Sequence, residues 1–186
     1  MMKRGAPQHP LLDREDTLLL LIDVQERLFP KIAGKEWVAE NIVRLIRFSR
    51  LTGIPSLLTE QQNLGDTVPE IREALGAVPA IRKLDFDCFG SEAFRERVNA
   101  HEKKVLIIAG IEAHICVAQT ALHALSRYTV HVVGDATSSR DPRNREIALQ
   151  RMRQFGATIT STEMLIYELL KRAGTDTFRQ VLKLVT

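Results

Sequence analysis

An apolar run that leads into a glycine turn and a cysteine constrains the fold of this chain more than any other feature. The segment from Val105 to Ala109 is continuously apolar, and the turn G-I-E-A follows it. Such a run is typical of a parallel strand buried on both faces. Cys116 then falls in the first turn of the next predicted helix, where unpaired N–H groups and the helix dipole stabilise a thiolate. The pattern therefore indicates either a nucleophile or a small residue that packs in the core.

Strands and helices alternate along the whole chain. The segment from Thr17 to Asp23 is a second apolar run, and it ends abruptly on a carboxylate. Because consecutive apolar residues need cover on both faces, we predict a parallel sheet with helices on each side, an α/β doubly wound domain. The predicted strands are 17–23, 54–59, 80–83, 105–109, 130–133 and 158–160. The predicted helices are 36–51, 68–75, 91–99, 114–127, 142–155, 162–172 and 177–184.

Length and composition limit the classes of protein that remain. A chain of 186 residues suits a single domain, which we place at 1–186 with 1–16 as an extended N-terminal arm. The net charge of +3 gives no sign of a nucleic-acid partner, and the longest apolar run, Leu18 to Ile22, is far too short to span a membrane. The two cysteines make neither a disulfide framework nor a zinc motif, and the first sixteen residues lack the core of a signal peptide. We therefore expect a cytoplasmic protein.

Three chemical groups stand at or just beyond the ends of predicted strands. Asp23 ends the first strand, Lys83 ends the third, and Cys116 follows the fourth. If the strand order is 3-2-1-4-5-6, the first and fourth strands are neighbours where the order reverses, which is where such sheets bind ligands. Alone, Asp23 suits a capping role and Lys83 a surface position. Together the groups suit acyl chemistry: the thiolate attacks, the carboxylate moves the proton, and the cation and turn N–H groups stabilise charge.

Three ordered segments carry a family resemblance. They are L-L-L-I-D-V-Q-E-R-L-F around Asp23, R-K-L-D-F-D-C-F around Lys83, and A-G-I-E-A-H-I-C-V-A-Q-T-A-L around Cys116. The chain resembles the isochorismatase-like hydrolases, or cysteine hydrolases, which include nicotinamidases, N-carbamoylsarcosine amidases and isochorismatases. The similarity continues through H-V-V-G-D-A-T-S-S-R and therefore covers nearly the whole chain. Its motifs look most like those of the small isochorismatase-domain proteins.

The resemblance implies a fold, a catalytic triad and an assembly. It implies a three-layer α/β/α fold with a six-stranded parallel sheet in the order 3-2-1-4-5-6, and a triad of Asp23, Lys83 and Cys116. It also implies a cis peptide bond between Ile111 and Glu112, so that the backbone N–H groups of Glu112 and Cys116 form an oxyanion hole. Finally, it implies a homo-oligomer, a dimer or larger, that acts on a small-molecule substrate.

Two departures from the family pattern narrow the expected reaction. Nicotinamidases carry a metal site after the second strand, but here no histidine occurs between Leu51 and Asn99, so we predict no metal and no cofactor. True isochorismatases cleave a vinyl ether without a cysteine nucleophile, whereas Cys116 is present here. We therefore predict hydrolysis of a small amide, carbamoyl or related acyl substrate. Vinyl-ether hydrolysis and a non-catalytic oligomeric binding module remain the alternatives.

Four further residues are predicted to line the pocket. Each predicted wall residue also has an ordinary structural interpretation, and the set comprises Gln25, Phe29, Phe89 and His114. The side chain of Glu112 is interpreted either as a ligand selector or as a salt-bridged surface group. Cys88 either packs in the core or lines the pocket near Lys83. The segment from Glu60 to Val78 is interpreted as a lid.

Overall fold

A computed structural model describes residues 11–185 and shows one six-stranded parallel sheet with helices on both faces. The strands are β1 (Thr17–Ile22), β2 (Ser56–Gln61), β3 (Ala80–Lys83), β4 (Val105–Ile111), β5 (Thr129–Ser138) and β6 (Thr158–Thr160). The α-helices are α1 (Lys35–Thr52), α2 (Pro69–Leu75), α3 (Glu92–Ala100), α4 (Ala118–Ala124), α5 (Pro142–Gln154), α6 (Thr162–Leu170) and α7 (Asp176–Val185). The strand order is β3-β2-β1-β4-β5-β6, which confirms the predicted fold class and order.

Alternate residues of the strands supply the two halves of the core. In β1, Leu19 and Leu21 join an apolar cluster with residues of α1, α2, α6 and α7. Leu18, Leu20 and Ile22 face the other way and join a second cluster with residues of α3, α4 and α5. Because successive side chains of a strand point to opposite faces, one uninterrupted apolar run serves both layers. This is the three-layer arrangement that the sequence predicts.

The two central strands approach each other very closely at their carboxyl ends. Ile22 is paired with Gly110, and Gly110 has a φ of +129°. A Cβ atom on Gly110 would lie 2.2 Å from the carbonyl oxygen of Ile22, so no larger residue fits there without moving the backbone. The glycine thereby brings the residue after β1 beside the turn after β4.

Several element boundaries differ from the predictions. β2 starts and ends two residues later than predicted, and β5 continues to Ser138 because Thr137 and Ser138 pair with the last residues of β4 beyond a register shift. The predicted helix 114–127 is a π-helix at Ala113–Val117 followed by the shorter α4. The predicted lid contains the end of β2 and helix α2.

The N-terminal arm is described only in part. Residues 1–10 of the predicted arm lie outside the described residues. Leu12 is buried, and Arg14–Asp16 form a short 3-10 helix rather than extended chain. Among the described residues, no helix is long and apolar enough to cross a membrane.

Candidate active site

Asp23 lies immediately after β1, at the carboxyl edge of the sheet. Its φ is 55°, a left-handed conformation that Asp adopts more readily than most residues, and its side chain is fully buried. The Asp23 N–H donates to the Thr59 carbonyl at 3.2 Å. Thr59 Oγ1 donates to Asp23 Oδ1 at 2.7 Å, and Lys83 Nζ donates to Asp23 Oδ2 at 2.7 Å. Both oxygens of this buried carboxylate therefore have a partner.

Lys83 ends β3 and is buried beside Asp23. Its ammonium group donates to Asp23, to Gln61 Oε1 at 2.8 Å and to the carbonyl of Asp85 at 3.2 Å, which uses its full set of three donors. Burial works to lower the pKa of Lys83, but the Asp23 carboxylate and the neighbouring cysteine sulfurs outweigh it and hold the pKa above its ordinary value. The structure thus contains a paired, charged lysine where the sequence suggested a site cation.

Cys116 lies in the π-helix, where its buried side chain is a neighbour of Asp23. Burial and the adjacent Asp23 carboxylate raise the pKa of the Cys116 thiol, and Lys83 opposes them only partly. The expected acidification at a helix start is therefore wrong for the resting protein. The physical reason is that the loss of water and a neighbouring carboxylate outweigh the dipole of a short helix, whose α-helical part has only seven residues.

The turn between β4 and the π-helix has an unusual backbone and a buried anchor. The peptide bond between Ile111 and Glu112 is cis. Glu112 Oε1 accepts hydrogen bonds from the backbone N–H and from Nε of Arg140, both at 3.0 Å. Glu112 is 4% exposed. Its carboxylate is therefore a buried anchor between the turn and the chain after β5, and neither the ligand-selector nor the surface-group interpretation describes it.

The predicted pocket walls do not gather around the sulfur as a set. Gln25 uses its amide to bond the carbonyl groups of Gln61 and Gly65 at 2.9 and 2.7 Å, and it accepts from the Gln61 N–H at 2.8 Å. It therefore ties β2 to the following loop. Phe29 packs in the core on the α1 face, whereas Cys116 belongs to the cluster on the other face.

Phe89 and His114 lie on the same side as the candidate nucleophile. Phe89 shares the apolar cluster of Cys116, with ring centroids 5.1 Å from Phe94 and 4.6 Å from His123. His114 Nδ1 lies 2.9 Å from Ser139 Oγ, which fixes the start of the π-helix to the chain after β5. Phe89 remains a candidate wall, and His114 has a structural contact that accounts for its position.

Sequence reasoning missed the polar groups of β2. Thr59 and Gln61 hold Asp23 and Lys83 respectively, and they occur in the T-E-Q segment that ends this strand. Cys88 lies beside Thr59, with its sulfur 3.9 Å from Thr59 Oγ1, and its backbone N–H donates to Thr120 Oγ1 at 3.0 Å. Alternating polar residues at the end of a strand next to Asp23 were the signal that was available.

Within residues 11–185, no group of three or more His, Cys, Asp or Glu side chains is placed to hold a metal ion.

Comparison with known proteins decides the family. The isochorismatase domain family matches residues 17–164, which include all three strand-end groups. The chain belongs to the isochorismatase family. It is accordingly a member of a hydrolase family, and the match runs from the start of β1 into α6.

Individual members of the isochorismatase family resemble the chain over almost its full length. Isochorismatase domain-containing protein 2A of Mus musculus is 38% identical over 176 residues, which are 92% of this chain and 83% of the relative. The MAR1 ribonuclease of Caenorhabditis elegans has a TM-score of 0.88 and 33% identity and covers 94% of this chain and 92% of its own.

Two YcaC proteins have the same fold at lower identity. The Pseudomonas aeruginosa protein, described with hexane-2,5-diol and covalent acrylamide, has a TM-score of 0.88 and 28% identity and covers 96% of this chain and 93% of its own. The Escherichia coli protein, described as an octameric hydrolase of unknown specificity, has a TM-score of 0.88 and 26% identity and covers 96% and 92%.

Proposed function

We propose that this isochorismatase-family hydrolase cleaves a small amide, carbamoyl or related acyl compound through a covalent intermediate on Cys116. The observation that carries the proposal is the buried Asp23 carboxylate, which is bonded to the Lys83 ammonium and the Thr59 hydroxyl and whose charge acts on the neighbouring Cys116 thiol. A buried carboxylate that is paired with an ammonium group and lies beside a thiol is placed to act as the general base for that nucleophile.

In the first half of the proposed reaction, the sulfur forms a bond to the substrate carbonyl carbon while Asp23 takes the thiol proton. Because the pKa of the unreacted Cys116 thiol is raised, the proton leaves as the sulfur attacks and not in an earlier ionisation step. The backbone N–H groups of Glu112 and Cys116 are the proposed donors to the developing oxyanion. The carbon–nitrogen bond then breaks, Asp23 returns its proton to the departing amine, and a thioester remains on Cys116.

In the second half, water replaces the amine. Asp23 accepts a proton from the water as its oxygen attacks the thioester carbonyl, and the carbon–sulfur bond breaks. The proton then returns from Asp23 to the sulfur, so that the acid product leaves and the thiol is restored. Lys83 keeps its charge throughout, and its role is to pair with the Asp23 carboxylate at the start of each half-reaction.

A related YcaC protein supports a covalent mechanism over the alternatives. The Pseudomonas aeruginosa protein, 28% identical to this chain, is described with covalent acrylamide. Covalent capture of acrylamide, which reacts through its vinyl carbon, agrees with a nucleophile, whereas vinyl-ether cleavage and a purely binding role require none. A small molecule, not a nucleic acid, is the proposed substrate because Asp23, Lys83 and Cys116 are all buried and the net charge is only +3.

Acrylamide adduct formation at neutral pH tests the proposed nucleophile. We expect one acrylamide on Cys116 and essentially none on Cys88, with Cys116→Ala reducing the labelling rate roughly a thousandfold or more and Cys88→Ser leaving it unchanged. Peptide mass spectrometry against time is the measurement, followed by a panel of small amides and carbamoyl compounds for turnover. Equal, slow labelling of both cysteines, or turnover of a vinyl ether or RNA that survives Cys116→Ala, would contradict the proposal.

We also propose that residues 1–186 form one domain that assembles into a homo-oligomer in the cytoplasm. The support is the octameric hydrolase from Escherichia coli, 26% identical to this chain, and the two cysteines that remain free of disulfides. We expect light scattering coupled to size-exclusion chromatography to give a mass of at least twice 21.0 kDa at micromolar concentration. A monomer across that range would contradict the assembly.

A further inference from the structure

Thr59 is hydrogen-bonded to Asp23 through both its backbone and its side chain. The Thr59 carbonyl accepts the Asp23 N–H at 3.2 Å, and the Thr59 hydroxyl donates to Asp23 Oδ1 at 2.7 Å. Thr59 is fully buried in β2, where it is paired with Ile22 on one side and with Ile81 on the other. A β-branched side chain held between two neighbouring strands has little freedom to turn. The hydroxyl therefore stays aimed at Asp23.

The hydroxyl has one proton, and the identity of its acceptor follows from the surrounding groups. An ionised carboxylate offers only acceptors, so the Thr59 proton points to Asp23 Oδ1. The thiol of Cys88, whose sulfur is 3.9 Å from the hydroxyl oxygen, is left as the donor in that weaker contact. A donor on Oδ1 and the ammonium of Lys83 on Oδ2 fix the carboxylate plane from two sides. The Cys116 thiol then meets a base that cannot rotate away.

We propose that Thr59 is a positioning residue for the reaction, because its hydroxyl holds the Asp23 carboxylate turned toward the Cys116 thiol. The inference rests on the proposed function of Cys116 and deepens it. In this scheme Thr59 contacts neither the Cys116 sulfur nor a substrate, and it acts only through Asp23. Lys83 alone would hold one oxygen and leave the carboxylate free to turn about that contact.

The structure offers a matched control elsewhere in the same fold. Thr67 is also buried, and its hydroxyl donates to Glu60 Oε1 at 2.7 Å, the same kind of bond at the same length. Glu60 pairs with Arg82 and Arg72, not with Cys116 or Lys83. Thr59→Val and Thr67→Val therefore each remove one buried hydroxyl-to-carboxylate bond, but only the first removes it from the proposed base.

The rate of acrylamide addition to Cys116, measured from about pH 5 to pH 9, tests the inference. We expect Thr59→Val to slow addition at neutral pH roughly 10- to 100-fold, the size of a hydrogen bond to a charged group, and to move the acid limb of the rate profile to higher pH. Thr59→Ser keeps the hydroxyl and should restore most of the rate and the profile. Thr67→Val should match the unsubstituted protein in both. The ionisable groups that face Asp23 are Lys83, Cys88 and Cys116, and all three are unchanged in these variants.

A second readout separates this inference from the proposed function. The 13C chemical shift of the Asp23 carboxyl group, at one fixed neutral pH, should move in Thr59→Val but not in Thr67→Val, whether or not Cys116 reacts with acrylamide. A protein whose Cys116 takes no adduct would refute the proposed nucleophile, and the carboxyl shift would still decide the role of Thr59. An unmoved shift in Thr59→Val, or equal rate losses in the two valine variants, would overturn the inference. If Thr59→Val does not fold by circular dichroism, Thr59→Ala takes its place in both measurements.

Discussion

The two cysteines of this chain are a controlled comparison within one molecule. Cys88 and Cys116 are both buried, both lie in the same apolar cluster, and burial raises the pKa of each thiol, that of Cys88 to about 12. They differ in their partners. The Asp23 carboxylate is the main charged neighbour that raises the pKa of Cys116, whereas the side-chain hydrogen-bond partners of the Cys88 thiol are the hydroxyl groups of Thr59 and Thr120. Under the proposed mechanism, a neighbouring base distinguishes the candidate nucleophile from the core residue, since the pKa of both thiols is raised.

Substitution of Asp23, the proposed base, should have the largest effect on the difference in reactivity between Cys116 and Cys88. We expect Asp23→Asn to slow the addition of acrylamide to Cys116 by roughly 100- to 10,000-fold, because the amide cannot accept the thiol proton. The labelling of Cys88 should stay at its low value. Peptide mass spectrometry of both cysteines in the same sample measures the two rates together.

A carboxylate next to Cys88 supplies the control for the Asp23 substitution. Asp87 immediately precedes Cys88 and pairs with His123 at 2.6 Å. Asp87→Asn removes a charge near Cys88 without touching Asp23, so both labelling rates should remain as they are in the unsubstituted protein. A Cys116 rate that is the same in Asp23→Asn as in Asp87→Asn would show that Asp23 is not the base.

A smaller effect isolates Cys88 through the pH dependence of stability. Burial raises the pKa of Cys88 from 9.0 to about 12, so the folded protein keeps the proton that the unfolded chain releases. The contribution of the protonated Cys88 thiol to the free energy of unfolding is fully present below pH 9.0 and is lost as the pH rises toward about 12. At about pH 10.5 the loss from this group amounts to about 2 kcal/mol.

Cys88→Ser removes that titration while keeping a small polar side chain. The free energy of unfolding, measured by urea denaturation from about pH 8 to about pH 10.5, should therefore fall less steeply in Cys88→Ser than in the unsubstituted protein. The raised pKa of Cys116 adds a loss of the same sign, which both proteins share. Identical slopes in the two proteins would show that Cys88 does not carry the expected burial cost.

The layout of the fold was predictable because it depends on local patterns. Continuous apolar runs such as Leu18 to Ile22 required cover on both faces, and the alternation of strands and helices then specified a parallel sheet. The strand order and the meeting of Asp23 with Lys83 followed from the same topology together with the family resemblance. These inferences needed only strand positions, and errors of two residues at the strand ends did not disturb them.

The environment of the site was not predictable in the same way. The direction of the Cys116 pKa shift depends on how deeply the turn is buried and on the contact with Asp23, and both are set by packing between distant segments. The grip of Thr59 on Asp23 depends on strand register, which the predicted bounds of β2 missed by two residues. The salt bridge of Glu112 joins two turns that no spacing rule links. Residue types at strand ends predict which groups meet, but they do not predict the pKa shifts or the hydrogen-bond partners of those groups.

The order of the strands also makes the site a reporter of completed folding. The candidate nucleophile follows β4, its proposed base follows β1, and the lysine ends β3, with Thr59 supplied by β2 between them. Four strands must therefore stand side by side before the thiol has its base, and a chain still emerging from the ribosome cannot have it until residue 116 has been released. Selective alkylation of Cys116 would then count native molecules in a refolding mixture, where spectroscopic probes of helix content register partly folded ones as well.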